Sequence, residues 1–167
     1  MTKETLIAKE MRSAIKLGDF PRVRDLTALH PECIHMHTPF GGWLHVAASF
    51  GRDEMVDYFI ESGVDVNGRG GILNGAPMNE AASEGYLSIV QKLLDAGGEM
   101  DVTGPDRNPL FGAIYGGHLE IVKLLVERGM DHRVRYTGES MKDMDALAFA
   151  RERGQTEIAN YLAGLEK

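Results

Sequence analysis

The chain repeats itself, and no other feature constrains its fold as tightly. Set "LHVAASFGRDEMVDYFIESGVDVN" (44–67), "MNEAASEGYLSIVQKLLDAGGEMD" (78–101) and "LFGAIYGGHLEIVKLLVERGMDHR" (110–133) beneath one another and no gap is needed. Ala47, Ala81 and Ala113 share one column, Gly51, Gly85 and Gly117 a second, and Gly63, Gly97 and Gly129 a third. Weaker copies, "LAFARERGQTEIANYL" (147–162) and "MRSAIKLGDFPRVRDL" (11–26), put Ala150 with Gly154 and Ala14 with Gly18 in the same register. Successive first glycines lie 33, 34, 32 and 37 residues apart. Units this short cannot bury an apolar face alone, so they must stack into a solenoid with modified ends.

Within a unit, an alanine-rich segment such as "NEAASEG" predicts a helix ended by glycine, whose small residues let a neighbour approach closely. An amphipathic stretch follows; Leu87, Ile89, Val90, Leu93 and Leu94 build one helical stripe, and a second glycine closes it. Between units, "GRGGILNGAP" and "TGPDRNP" carry the Gly, Pro, Asn and Asp of turns. The expected fold is all-α: one domain, 1–167, of about five helix-turn-helix units (about 5–36, 37–70, 71–103, 104–136 and 137–167) joined by short finger loops.

With "GWLHVAA", "GVDVN", "NPLFGAI" and "HLEIVKLLVERG" in hand, the chain resembles the ankyrin-repeat family over roughly residues 5–165. Trp43 departs from the family pattern where proline is usual, and Asn79 and Phe111 stand in the histidine slot that His45 keeps. The resemblance implies that His45 hydrogen-bonds within its turn. The last joint, "RVRYTGESMKDMD" (133–145), is about four residues longer than usual, and its charge predicts a segment mobile until bound. Unit one has His30 in place of its second glycine and carries Pro21 at a helix start, so the ends are expected to open before the middle.

Composition narrows the function classes. A domain of 167 residues buries about 70% of its unfolded surface and needs no metal or disulfide to fold. The formal charge of −7 disfavours nucleic acid as partner, no apolar run is long enough to span a membrane, and the N-terminus lacks the uninterrupted apolar stretch of a signal peptide. With a single cysteine, these features point to the cytoplasm.

"HPECIHMHTPFGGWLH" (30–45) raises the question of metal, because Cys33, His35 and His37 alternate along an extended segment. The spacing lacks the second ligand pair of zinc signatures, and the register makes the stretch a joint between units, with Cys33 just before an apolar position at Ile34. "GRGGILNG" (68–75) lacks the Lys-Ser/Thr ending of a phosphate-binding loop and is expected to be a finger. No motif pairs a nucleophile with a histidine, so neither enzyme activity nor a cofactor is expected; a hydrolase centred on 30–45 ranks last.

The resemblance places binding on the concave face: the loop tips and the two residues before each first glycine. Those slots hold Ser49 and Phe50, Ser83 and Glu84, Tyr115 and Gly116, Glu152 and Arg153; the fingers add Arg69, Ile72, Leu73, Arg107, Arg135 and Tyr136, with Phe40 and Trp43 near the first. Aromatic residues and arginine dominate protein interfaces, which favours Phe50, Tyr115, Trp43 and Arg107, although Trp43 also fits a packing role in its turn. The resemblance extends to short bacterial ankyrin proteins of the immunity type, implying an inhibitor that masks a cognate toxin; a basic toxin or nuclease would suit the acidic chain. A general adaptor with several partners is the alternative.

Overall fold

The computed structural model describes residues 2–71, 73–138 and 141–166; of the finger residues singled out above, Ile72 lies outside them. Among the described residues ten helices form five pairs: α1 (Lys3–Leu17) with α2 (Phe20–Leu29), α3 (Trp43–Ser49) with α4 (Asp53–Glu61), α5 (Pro77–Glu84) with α6 (Leu87–Asp95), α7 (Pro109–Gly116) with α8 (Leu119–Glu127), and α9 (Ala146–Glu152) with α10 (Thr156–Gly164). The first helices stand in an inner row and the second helices in an outer one, around a continuous apolar core that runs the length of the stack. This is the ankyrin solenoid.

The aligned alanine and glycine are two parts of one helix stop. In each unit the N–H after the first glycine donates to the carbonyl of the aligned alanine: Asp19 to Ala14, Arg52 to Ala47, Tyr86 to Ala81, His118 to Ala113 and Gln155 to Ala150, all at 2.9 Å. That is the long bond of a Schellman turn, and it requires the residue between to take a left-handed backbone, as Gly85 does at φ 89°. From the second unit onward the side chain after the glycine folds back over the preceding unit's glycine, Arg52 over Gly18, Tyr86 over Gly51, His118 over Gly85 and Gln155 over Gly117. Those side chains therefore do not cap their own helices. Arg52 instead donates from Nε to the Ile15 carbonyl at 3.0 Å, and His118 from Nε2 to the Ser83 carbonyl at 3.0 Å, stitching unit to unit.

Small side chains set how closely the inner row packs. Ala47, Ala48, Ala81, Ala82 and Ala113 are fully buried, and a Cβ at Gly116 would collide with the Ser83 carbonyl oxygen on α5. Gly116, in the slot before Gly117, is exposed, yet the close approach of α5 leaves no room for a side chain there. The outer row touches more sparingly and is bridged by ion pairs: Lys92 to Asp53 and Asp57 at 3.1 and 2.6 Å, and Arg128 to Asp95 at 3.0 Å. Each such exposed pair stabilises by about 1 kcal/mol at most.

The joint at 30–45 contains a 3-10 turn (Pro31–His35) and a hairpin, β1 (His37–Thr38) with β2 (Gly41–Gly42), His37 lying opposite Gly42. Cys33 rather than Ile34 takes the core position, while His35 and His37 face solvent. Trp43 is 0% exposed and its indole N–H donates to the Cys33 carbonyl at 2.7 Å. His45 does not bond within its own turn: Nε2–H donates to the Gly75 carbonyl of the following joint at 3.1 Å. Asn79, in the equivalent slot, reaches Asp106 O at 3.5 Å, and Phe111 meets the Tyr136 ring edge-on at 5.0 Å. Three unlike residues thus make the same connection, each to the next joint. In the long joint, where a mobile segment is expected and residues 139 and 140 lie outside the described ones, Tyr136 and Met144 exchange backbone hydrogen bonds at 2.9 Å.

Candidate functional site

The inner helices and finger loops enclose a groove made of two adjoining clefts. One, of about 330 Å³, is lined by Arg12, Phe40, Val46, Ser49, Phe50 and others; the second, of about 350 Å³, by Ser83, Asp106, Phe111, Tyr115, Met141 and Phe149 among others. Leu73 and Glu80 belong to both and mark the point where they meet. All five helix pairs contribute to a surface that is mainly apolar and aromatic.

Of the residues expected to bind, Ser49, Phe50, Ser83 and Tyr115 line this groove, with the finger residues Phe40 and Leu73. Tyr115 is 60% exposed and carries the Arg153 guanidinium over its ring at 4.2 Å; Lys16 sits 5.4 Å from the Phe50 ring. Glu84 and Glu152 are exposed at the ends of α5 and α9.

The remaining candidates sit elsewhere. Trp43 is sealed in the core, so the packing role holds and it presents no contact surface. Arg69 pairs with Asp101 of the next finger at 2.8 Å, and Arg107 approaches the same carboxylate from within that finger at 3.8 Å. Arg135 is held by Asp143 at 2.8 Å and Asp145 at 2.5 Å. The half-buried Tyr136 hydroxyl donates to the Val102 carbonyl at 2.8 Å and accepts from Asn108 Nδ2 at 3.0 Å. These four residues build the finger row rather than the groove wall.

Arg12, Glu80, Met141 and Phe149 were not anticipated. Three of the groove residues carry a signal in their spacing: Glu80 lies four residues before Glu84, Phe111 four before Tyr115 and Phe149 four before Arg153. The same helix face therefore continues one turn toward the N-terminus of each inner helix, and extending the expected slots by that turn finds them. Met141 sits in an irregular joint where no period applies.

The electrostatics of the groove are uneven. Glu80 has no hydrogen bond or ion pair among the described residues; burial, and then the nearby Glu84 carboxylate, push its carboxyl above the usual carboxylate range. Arg12 stacks on the Phe40 ring at 3.9 Å, and its Nε is buried without an acceptor. His45, at the floor of the first cleft, is kept neutral by burial, which lowers its pKa. Its Nε2–H is already engaged, and the Ser49 hydroxyl donates to the Val46 carbonyl at 3.1 Å, so the two do not form a base–nucleophile pair. Among the described residues no group of three or more His, Cys, Asp or Glu is arranged to hold a metal ion.

Comparison with known proteins gives the same architecture. A family model described as ankyrin repeats (3 copies) matches residues 78–167, and another, ankyrin repeats (many copies), matches 44–94. The E3 ubiquitin-protein ligase XBAT33 of Arabidopsis thaliana is 34% identical over 121 residues, 68% of this chain and 23% of the ligase. An ankyrin repeat protein of Rickettsia felis is 34% identical over 132 residues, 73% of this chain and 56% of that protein. Palmitoyltransferase AKR1 of Lachancea kluyveri is 45% identical over 60 residues, 36% of this chain and 8% of the enzyme. The chain spans less than two thirds of each of these relatives, and the activity in each name is that protein's own. With five stacked helix pairs, the repeated alanine–glycine helix stop and these matches, the chain belongs to the ankyrin-repeat family.

Proposed function

We propose that this chain acts by binding, holding a protein partner in the groove, and that it is a dedicated inhibitor of the immunity type, covering the working surface of one cognate toxin. The carrying observation is the groove itself, in which Phe40, Phe50, Leu73, Phe111, Tyr115 and Phe149 converge from several units on one continuous surface. Aromatic anchors in a concave, partly desolvated site are where protein interfaces concentrate their energy. The charge of −7 suits a basic toxin or nuclease, since opposite charge speeds encounter more than it sets affinity. We place the protein in the cytoplasm, where the single cysteine, buried at Cys33, stays reduced.

The test is affinity capture of the tagged protein from its native lysate, with the stoichiometry of everything retained. One stoichiometric partner whose activity is lost on binding supports the inhibitor; several substoichiometric partners replace it with a general adaptor.

A further inference from the structure

Glu80 stands at the centre of the groove, on the middle helix of the inner row, where the two clefts meet. Its surroundings are apolar on both sides: Phe40, Phe50 and Leu73 toward one end, Phe111 and Tyr115 toward the other. A half-buried carboxylate with no partner destabilises the free protein, because its lost hydration is not replaced. The cations nearest the groove are engaged elsewhere. Arg12 shares the first cleft with Glu80, yet it lies on Phe40 and forms no ion pair; Arg153 lies on Tyr115, and Lys16 faces Phe50. Glu84, one turn further along α5, and Asp106, in the second cleft, add negative charge around the centre. The groove thus offers a carboxylate that is unpaired among the described residues and lies between aromatic faces, and two of those faces already carry a guanidinium within the chain, at 3.9 and 4.2 Å. A carboxylate flanked by ring faces is the environment that receives a desolvated guanidinium or ammonium.

We infer that Glu80 determines the specificity of the groove by receiving an arginine or lysine side chain of the partner, presented on a segment whose neighbouring residues are apolar and fill the two clefts. This rests on the groove being the partner-binding face. The clefts, about 330 and 350 Å³, flank Glu80 and take the neighbouring side chains, while the carboxylate fixes the register between them. Charge complementarity at a single central position selects among segments that the apolar walls alone would accept.

The experiment is selection of a random linear peptide library against the immobilised full chain, followed by affinity measurement of the enriched peptides on variants. The expected peptides share one basic residue flanked by apolar ones. They should lose about tenfold or more in affinity to Glu80→Gln, the scale of a charged hydrogen bond, and little to Glu84→Gln. Replacing the peptide's basic residue with norleucine should cost affinity against the unaltered chain and almost none against Glu80→Gln. Peptides that weaken with Phe50→Ala and Tyr115→Ala but carry no basic residue, or bind Glu80→Gln undiminished, overturn the role of Glu80 and leave the groove standing. Peptides indifferent to all of these variants, or retention of none above an uncoated control, overturn both.

Discussion

Helix α5 has two faces that differ in kind. On one, Met78, Ala81 and Ala82 are sealed against α3 and α7, and on the other, Glu80 lines the groove and Glu84 is exposed, neither with a partner among the described residues. The contrast runs along the whole inner row, Trp43 and Leu44 against Phe50 on α3, Ala113 and Ile114 against Tyr115 on α7. Sealed positions hold small or shape-matched side chains, and the Trp43 indole N–H finds its acceptor there. Groove positions hold aromatics that keep a face to the clefts, from the exposed Tyr115 and Phe40 to the partly buried Phe50 and Phe149, and charge with no partner among the described residues. Stability is thus concentrated on one side of these short helices, and the binding proposed above falls to the other.

This division can be broken by substitution. Trp43→Ala removes the largest sealed side chain and leaves the Cys33 carbonyl with only the Met36 N–H as donor, so stability should fall by about 3–5 kcal/mol in urea unfolding. Gly116→Ala should cost about 1–3 kcal/mol, because the added methyl meets the Ser83 carbonyl and forces α7 away from α5. Tyr115→Ala, at an exposed side chain, should change stability by only about 0.5 kcal/mol, and Phe50→Ala, at a partly buried one, by less than Trp43→Ala, while each weakens the complex with the captured partner. If either variant unfolds the stack as Trp43→Ala does, or binds undiminished, its side of the division is misassigned.

The smallest stability effect has the opposite sign and depends on pH. Burial raises the Glu80 carboxyl above 4.5, so the folded state prefers the protonated form and the ionised form destabilises it. Glu80→Gln should therefore be more stable than the unaltered chain at pH 7. The gain should shrink as the pH falls through the raised folded value and vanish below 4.5, where the unfolded chain is protonated too. Equal stability at pH 7 would mean that solvent satisfies the carboxylate.

Repeat, helix order and helix stops were legible in the chain because they are local and recur: an alanine, a glycine four residues on, and the N–H after it close one turn five times over. Slots next to that turn were legible for the same reason, and Phe50 and Tyr115 fall in the groove. What the period could not convey was contact between units. Whether Arg69 points outward depends on Asp101, 32 residues on, which the stacking brings within reach, and whether Arg107 and Arg135 do depends on how their own irregular joints fold back toward Asp101, Asp143 and Asp145. Trp43 reads equally as anchor or packing residue until the Cys33 carbonyl is placed above it. Glu80 is one more acidic residue on a helix until its neighbours prove apolar.

The central claim, that the groove side of the inner row is the binding face, is tested most directly by hydroxyl-radical footprinting of side chains with and without the captured partner. Tyr115, Leu73 and Phe40, 60%, 55% and 46% exposed in the free protein, should be protected in the complex. Leu29 and Leu87 on α2 and α6, 70% and 42% exposed, should react as before. Protection of Leu29 and Leu87 with Tyr115, Leu73 and Phe40 unchanged would place the partner on the outer row and contradict the account.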